Sequence, residues 1–529
     1  MSRYALFTVL ILTACGGHPA TQPTPVPRLA TDTDVRDAAA VITPDKVLQR
    51  IGVIADDSMG GRNTPSPGLE KTAQYLADNY RTWGLVPMGD SGTWFQRYTL
   101  ARTRAKASSS YIEVDDGTGP QRFMLDKWAT ETGPMTGQRI TGPVKIISGT
   151  VTAADIEPLT LTGTIVVFAP NPANAAQNQQ AVRAVAMKAP AALLVLQASD
   201  PVAFATRVAT AQRVGNARPI VRGMPTTGVL VITAHDSLFT GMTNGPDIPA
   251  MRHASGAVVM DVPAQVHVTI VATEETVSTS SAPNVVAMMP GNDSVLKNEY
   301  VIFSAHMDHI GSAGDGVGGC TAKGADSICN GADDDGSGTT GILSIAEAVA
   351  KLKGRTGRSI IILNVSGEEK GLLGSAYFAA HPSVPLANVV ADINMDMIGR
   401  NDSDSIVVIG KEHSDLGATL AQVEALHPEL HLRAADDIWP QESFYSRSDH
   451  FNFARKGVPI LFFFNGTHPQ YHQADDEVRL IDTSKLARVA QLGFFLGIQI
   501  AETEQRPKWN PVSYQTIVVE QKVPAPVKR

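Results

Sequence analysis

The sequence predicts an α/β protein with a mixed, mainly parallel central sheet flanked by helices, and a β-rich domain inserted into it. Three observations carry that reading. From Asn284 onward the short apolar runs EYVIFSA, SIIILNV, VVADINM, DSIVVIG and VPILFFF alternate with loops and with the helical segments Thr339 to Lys353 and Leu373 to His381. Such alternation builds a sheet covered by helices. From about Arg104 to Pro283 the texture changes to the β-rich runs VKIISGTV, TIVVFAP, AALLVLQAS, GVLVITA and VHVTIVAT, separated by Gly, Pro and Asn and interrupted by one helical stretch, Ala175 to Met187. Helical and α/β texture lies on both sides, so this segment reads as an insertion. A chain of 529 residues also exceeds one ordinary core.

Taken in order, the elements begin with a leader. MSRYALFTVLILTACGG has a basic Arg3, an apolar run too short to span a bilayer, and then small residues, the pattern of a secretion signal. Its end, Leu12-Thr13-Ala14-Cys15, resembles a bacterial lipobox, which implies lipidation of Cys15 as the first mature residue. An ordinary cleaved signal with a chance cysteine is the competing reading. Gly16 after the cysteine implies transfer to the periplasmic face of the outer membrane. The Pro-, Thr- and Ala-rich residues 16–42 read as a flexible tether. Thr43-Pro44-Asp45 is a capped helix start with Leu48, Ile51 and Ile54 on one face. The turn-rich GGRNTPSPG follows, then a helix from Leu69 to Trp83. The resulting domain expectation is leader 1–15, tether 16–42, main domain 43–103 and 284–505 around an insertion 104–283, and a tail 506–529 ending in the basic KVPAPVKR.

Composition narrows the function. Hydrophobic content of 43% with 18% charged residues is that of a globular chain. The net charge is -8 with scattered basic residues, which excludes the Lys/Arg stripe that nucleic acid requires. Besides Cys15 the cysteines are Cys320 and Cys329, in one Gly-rich loop. In an exported chain they are expected to form a disulfide, because C-x8-C matches no zinc spacing.

The polar residues at the strand ends carry the chemistry. EYVIFSA runs into His306-Met307-Asp308, SIIILNV into Glu368-Glu369, VVADINM into Asp396, and VPILFFF into a loop with Tyr471-His472. Sites in open α/β sheets form beyond the carboxyl ends of strands. Between the first two lies NGADDDGSGTTG, three acids before a helix. This turn is not an EF-hand, since Ser344 stands where the bidentate Glu would be. One such residue alone is a hydrogen-bonded loop residue; two His and several carboxylates on four strand ends are a candidate metal site.

HMD, NGADDDGSG, SGEEKGLLGS, NMDMIG, and RSDHFNF followed by YHQADD resemble, in that order, the motifs of the co-catalytic zinc aminopeptidases of the M28 metallopeptidase family. DDSMGGRNTPSPGLEKTAQYLADNYRTWGL is similar to that family's helical entry segment, and the insertion resembles a protease-associated domain. The resemblance implies two Zn2+ ions per chain, with manganese or cobalt as substitutes. It makes Asp334 the bridge, His306 and Asp396 the ligands of one ion, and Glu369 and His472 those of the other. It gives Glu368 the role of base, taking a proton from the attacking water and returning it to the leaving amine. Asp308 is implied to orient His306, Tyr471 to donate to the oxyanion, and Arg447 to hold substrate. A cis peptide at Asp334-Asp335 is implied as well. His309, His450 and His468 are left without a metal role because the ligand set is complete without them, and Phe462 to Phe464 reads as a buried strand. The expected activity is removal of N-terminal residues from peptide substrates. Alternatives are a carboxypeptidase of the same family, whose arginines a sequence does not locate, or a non-catalytic peptide-binding lipoprotein. A one-zinc cyclase is disfavoured by the intact two-metal set.

Overall fold

The computed structural model describes residues 29–215, 219–224, 228–239, 246–314 and 319–519. The leader with Cys15, the start of the tether and the KVPAPVKR tail lie outside them. Among the described residues no helix is long and apolar enough to cross a membrane.

Helix α1 (Pro44–Ile54) starts where Thr43 accepts a hydrogen bond from the Lys46 amide, and α2 (Pro67–Thr82) where Ser66 accepts from Leu69. Each has proline in its first turn, where no intrahelical N–H is needed. Strand β1 (Phe95–Ala105) leads into the β-rich segment. There β2 (Val144–Gly149), β3 (Ile165–Pro170), β4 (Ala192–Gln197) and β5 (Val231–His235) pair in parallel within a six-stranded sheet. Helix α3 (Ala175–Met187) connects β3 to β4, and α4 (Pro201–Val214) follows β4. The sequence pattern predicts one helix in this segment, whereas the structure has α4 as well. Its run PVAFATRVATAQRV mixes small and polar residues, and its clearest mark is local: Asp200 accepts from the Ala203 amide just before Pro201.

Strand β6 (His267–Met289) is 23 residues long. Its first part pairs with Tyr111–Asp115 and Thr136–Thr141, its middle with β1, and its end, Val285 to Met289, with β8 (Ser359–Val365), which follows β7 (Tyr300–His306) and helix α5 (Gly336–Lys351). Helix α6 (Leu373–Ala380), β9 (Val389–Met395), β10 (Ser405–Ile409), β11 (Ile460–Phe464) and α7 (Thr483–Glu502) complete the set that positions the site. Across the sheet the order is β1-β6-β8-β7-β9-β11-β10. The pairs β8/β7, β7/β9 and β9/β11 are parallel, with antiparallel pairs outside them at β6/β8 and β11/β10. The sheet is mixed, as the apolar runs predict, but in this order only its central four strands, β8-β7-β9-β11, form parallel pairs.

Both faces of its centre are covered, so alternate residues enter different cores. Val301, Phe303, Ile360 and Ile362 pack with residues of α1, α2, α5 and α7, while Ile302, Ile361 and Leu363 pack with Phe378 of α6 and Phe453. The Phe462 to Phe464 run is buried strand, as read. The tether reading fails toward its end: Asp32–Ala39 is a helix with a Thr31/Asp34 capping box. Ala38, Ala39 and Ile42 join the main core, and Asp34 pairs with Arg355 at 2.9 Å.

Gly497 of α7 lies against Phe303, and a Cβ there would stand 2.2 Å from the ring's Cζ. Gly497→Val is expected to lower stability by about 1–3 kcal/mol, read as a reduced denaturant midpoint with an unchanged slope. In the inserted segment Glu131 is buried, with one carboxylate oxygen accepting from the Ala105 amide at 2.5 Å and burial raising its pKa to about 7. From the ordinary Glu value up to about 7 the unfolded chain releases this proton and the folded one keeps it. Glu131 therefore makes stability fall as pH rises through that window. Glu131→Gln is expected to flatten that slope, measured by unfolding at a series of pH values.

Candidate metal centre

Adjacent parallel strands β8, β7, β9 and β11 bring their carboxyl ends side by side. His306 ends β7, Asp396 follows β9, Glu368 and Glu369 follow β8, and His472 comes from the loop after β11. Asp334 arrives from the turn before α5.

The three consecutive acids of that turn are all buried and point to different tasks. Asp335 accepts from the amides of His306 at 3.2 Å, Met397 at 3.1 Å and Gly338 at 2.8 Å, so one carboxylate ties the end of β7 and the loop after β9 to the start of α5. Asp333 accepts from the Gly399 amide at 2.7 Å and faces His468 Nε2 at 3.3 Å. Asp334 is left to face the cleft, its own amide and that of Asp333 both donating to Asp476. The peptide between Asp334 and Asp335 is cis.

Asp334 spans two histidines. Its Oδ1 lies 3.4 Å from His306 Nε2, and its Oδ2 lies 3.1 Å from His472 Nε2. His306 Nε2 also faces Asp396 Oδ1 at 3.5 Å and Glu368 Oε2 at 3.9 Å; His472 Nε2 faces Glu369 Oε2 at 3.2 Å. Glu368 is fully buried. Its amide donates to Asp308 Oδ1 at 3.2 Å. The Asp308 carboxylate also accepts from Thr64, whose hydroxyl in turn accepts from the Gly367 amide at 3.0 Å.

The partner of His306 Nδ1 is the Asp308 carbonyl, 3.1 Å away, with the Asp308 carboxylate at 3.7 Å. The orienting contact thus comes from the backbone of Asp308, while its side chain holds the Glu368 loop. With the proton on Nδ1, the lone pair of His306 Nε2 points at three carboxylates and has no hydrogen-bond donor among the described residues. Lone pair against carboxylate is repulsive unless a proton or a cation lies between them. Two donors about 2.0–2.1 Å from a tetrahedral Zn2+ are roughly 3.3–3.4 Å apart, close to the 3.4 and 3.5 Å that separate His306 Nε2 from Asp334 and Asp396. The imidazole and carboxylate donors suit a divalent ion.

Electrostatics agree with a site built for positive charge. Burial alone would lower the His472 pKa, but Glu369 and Asp334 raise it to about 11. Burial would raise Glu369, yet His472 and His309 hold it well below the carboxylate range. Asp335 is pushed well above that range, by burial first and then by Asp396. The Tyr471 ring stacks on His472 at 3.9 Å, and its hydroxyl stays protonated because burial, Asp334 and Glu369 all disfavour phenolate. Arg447 lies 4.5 Å over the Phe444 ring and 3.5 Å from Glu442, close enough to Tyr471 to act on it electrostatically.

Cys320 and Cys329 are joined by a disulfide with Cα atoms 5.8 Å apart. His309, which the sequence reading leaves without a metal role, has Nδ1 3.0 Å from Glu369 Oε1 and 3.8 Å from Asp334 Oδ2. Its place two residues after Met307 at the same strand end was the available signal. Sequence reasoning missed Arg62 and Ser448. The Arg62 guanidinium is wholly buried and donates to the carbonyls of Ile54, Met307, Asn330 and Gly331, and Ser448 donates to Asp396 at 2.8 Å. Arg62 sits in the turn-rich GGRNTPSPG, where nothing local announces a partner hundreds of residues away. His450, by contrast, is buried and hydrogen-bonded to the Tyr445 carbonyl, away from this role.

Residues 284–495 match the model of Peptidase family M28. A probable leucine aminopeptidase of Trichophyton verrucosum is 28% identical over 218 residues, which are 40% of this chain and 55% of that protein. Leucine aminopeptidase 1 of Penicillium rubens is 26% identical over 186 residues, 32% of this chain and 47% of that one. The chain spans about half the length of these curated relatives. Among solved structures, an aminopeptidase from Aneurinibacillus sp. strain AM-1 has a TM-score of 0.48 at 18% identity, covering 90% of this chain and 98% of that one. A zinc aminopeptidase from Bacillus subtilis has a TM-score of 0.47 at 15% identity, covering 88% and 96%. The family match therefore falls on the stretch that carries β7 to β11 and each of the strand-end residues above.

Proposed function

We propose that the protein is an M28-type, zinc-dependent exopeptidase that removes N-terminal residues from peptides. The observation that carries this reading is Asp334 spanning His306 and His472, with His306 Nε2 directed at carboxylates. His306, Asp334 and Asp396 would hold one Zn2+, and Asp334, Glu369 and His472 a second. His472 is preferred to His309 as ligand because its Nε2 is within 3.2 Å of both Asp334 and Glu369, whereas His309 is 3.8 Å from Asp334. Bound ions supply Lewis acidity, acidifying a water and polarising the scissile carbonyl.

The chain's own residues do the rest. Glu368, buried beside His306 and held by Asp308 through its amide, takes the proton of the attacking water and delivers it to the leaving amine. Tyr471, which retains its proton, donates a hydrogen bond to the oxyanion that develops on the carbonyl. Asp308 orients His306 through its carbonyl. Arg447 holds the substrate from the rim; its pairing with Glu442 leaves less charge for a peptide carboxylate and favours the aminopeptidase over the carboxypeptidase reading. The leucine aminopeptidase names of the relatives support the same choice. The intact Glu368 and ligand set speak against a non-catalytic binding protein. Export, lipidation at Cys15 and an outer-membrane location belong to the proposal, supported by the leader sequence and by the Cys320–Cys329 bridge, which suits an oxidising compartment.

Elemental analysis of the purified protein is expected to find about two zinc ions per chain. Glu368→Gln should keep that content and lower kcat by about a hundred- to ten-thousand-fold, whereas Asp334→Asn should lose metal; normal turnover by the Glu368 variant would remove the assigned base. Peptides with a free amino terminus should be shortened and their N-acetylated counterparts spared. Cleavage of the acetylated peptides alone would turn the assignment to a carboxypeptidase.

A further inference from the structure

A cavity of about 570 Å3 opens in the inserted segment and is lined by none of the candidate metal ligands. It lies at the carboxyl ends of the parallel strands β3 and β4, between α3 and α4, the kind of crevice where α/β sheets bind ligands. Its charged lining among the described residues is Arg183, Arg207 and Arg252, with no acidic residue among them, in a chain whose net charge is -8.

Arg252 is built into the wall. It is 2% exposed, its Nη1 donates to the carbonyls of Pro170 at 2.9 Å and Leu196 at 3.2 Å, and its Nη2 pairs with Asp236. Its Nε has no acceptor among the described residues. A buried guanidinium N–H without an acceptor is a standing energetic cost. Arg207 is held ready on the rim by Gln197 at 2.8 Å and Ser199 at 3.3 Å, with its guanidinium 5.2 Å over Phe204. Independently, helix α3 begins at the cavity with Ala175, has no acid in its first turn and receives no side-chain cap from Asn174. The positive dipole end of this helix adds to the attraction for an anion.

Asn178 lies in the same wall. Its Nδ2 donates to the Asn171 carbonyl at 2.7 Å, and its Oδ1 has no donor among the described residues. Guanidinium donors, with Pro170, Val182 and Leu196 as apolar walls, match a carboxylate with an aliphatic side chain close to it. We propose that this cavity binds the C-terminal carboxylate and apolar last residue of a peptide. The proposal stands apart from the metal centre and from the reading of its chemistry.

The test uses the intact protein and calorimetric titration with an N-acetylated tetrapeptide of alanines ending in leucine, as free acid and as C-terminal amide, and with inorganic phosphate. The acid should bind about tenfold or more tightly than the amide, and Arg207→Gln and Arg183→Gln should each erase most of that preference. Hydrolysis of a leucyl anilide, if the chain performs it, should be unchanged in the Arg207 variant, which separates this proposal from the catalytic one. Equal binding of acid and amide, no binding at millimolar peptide, or an acid preference that survives both arginine variants would overturn it. Phosphate binding without peptide binding would assign the cavity to inorganic anions and overturn the peptide assignment.

Discussion

Carboxylates repel one another and lose hydration when buried together, and the candidate metal centre concentrates Asp308, Asp333, Asp334, Asp335, Glu368, Glu369, Asp396 and Asp476 in one interior region. The rest of the site is arranged around that difficulty. Arg62 meets it in two ways. Its guanidinium donates to four carbonyls from three places in the chain, and its charge acts on Asp308, Asp335, Asp334 and Asp476. The acids that do not face the cleft are occupied by backbone amides: three at Asp335, two at Asp476, and those of Glu368 at Asp308 and Gly399 at Asp333. Negative charge thus doubles as the fastening between loops. Where Asp334, Glu368, Glu369 and Asp396 meet His306 and His472, charge remains directed into the cleft.

That division explains what was legible in the sequence. The strands could be read because a buried parallel strand is a continuous apolar run, and each run ended at a polar residue that the sheet order then set beside the others. The turn with three acids could be read as special but not apportioned, since side-chain direction along Asp333, Asp334 and Asp335 depends on Gly399, His306 and Asp476, which come from other loops. Arg62, Thr64 and Ser448 were illegible for the same reason: their partners are distant in sequence, and their own surroundings look like ordinary turns. His309 was set aside by counting ligands, whereas space puts it against Glu369.

Helices were missed where apolar faces are made of small residues. The Asp32–Ala39 helix buries Ala38 and Ala39, and α4 buries Phe204 and Val208, too few large side chains to produce a periodic signal. In both cases the N-terminal cap was the better indicator, Thr31 with Asp34 in one and Asp200 before Pro201 in the other. The two long strands β1 and β6 were obscured differently. Expected domain edges at 103/104 and 283/284 fall inside them, because a strand that changes partners along its length shows no break in its own sequence.

Strand β6 has a consequence for anyone who would treat the inserted segment as a detachable part. The ladder it shares with β1 runs from Glu274 to Val285, and its last residues pair with β8 beside the strands that carry the candidate metal ligands. Excising the insertion at its apparent limits would sever both strands inside their hydrogen-bonded span and bare a raw flank of the larger sheet, open to adhesion between copies. Evolutionary shuffling or laboratory grafting of the segment must therefore transplant the paired ribbon with it.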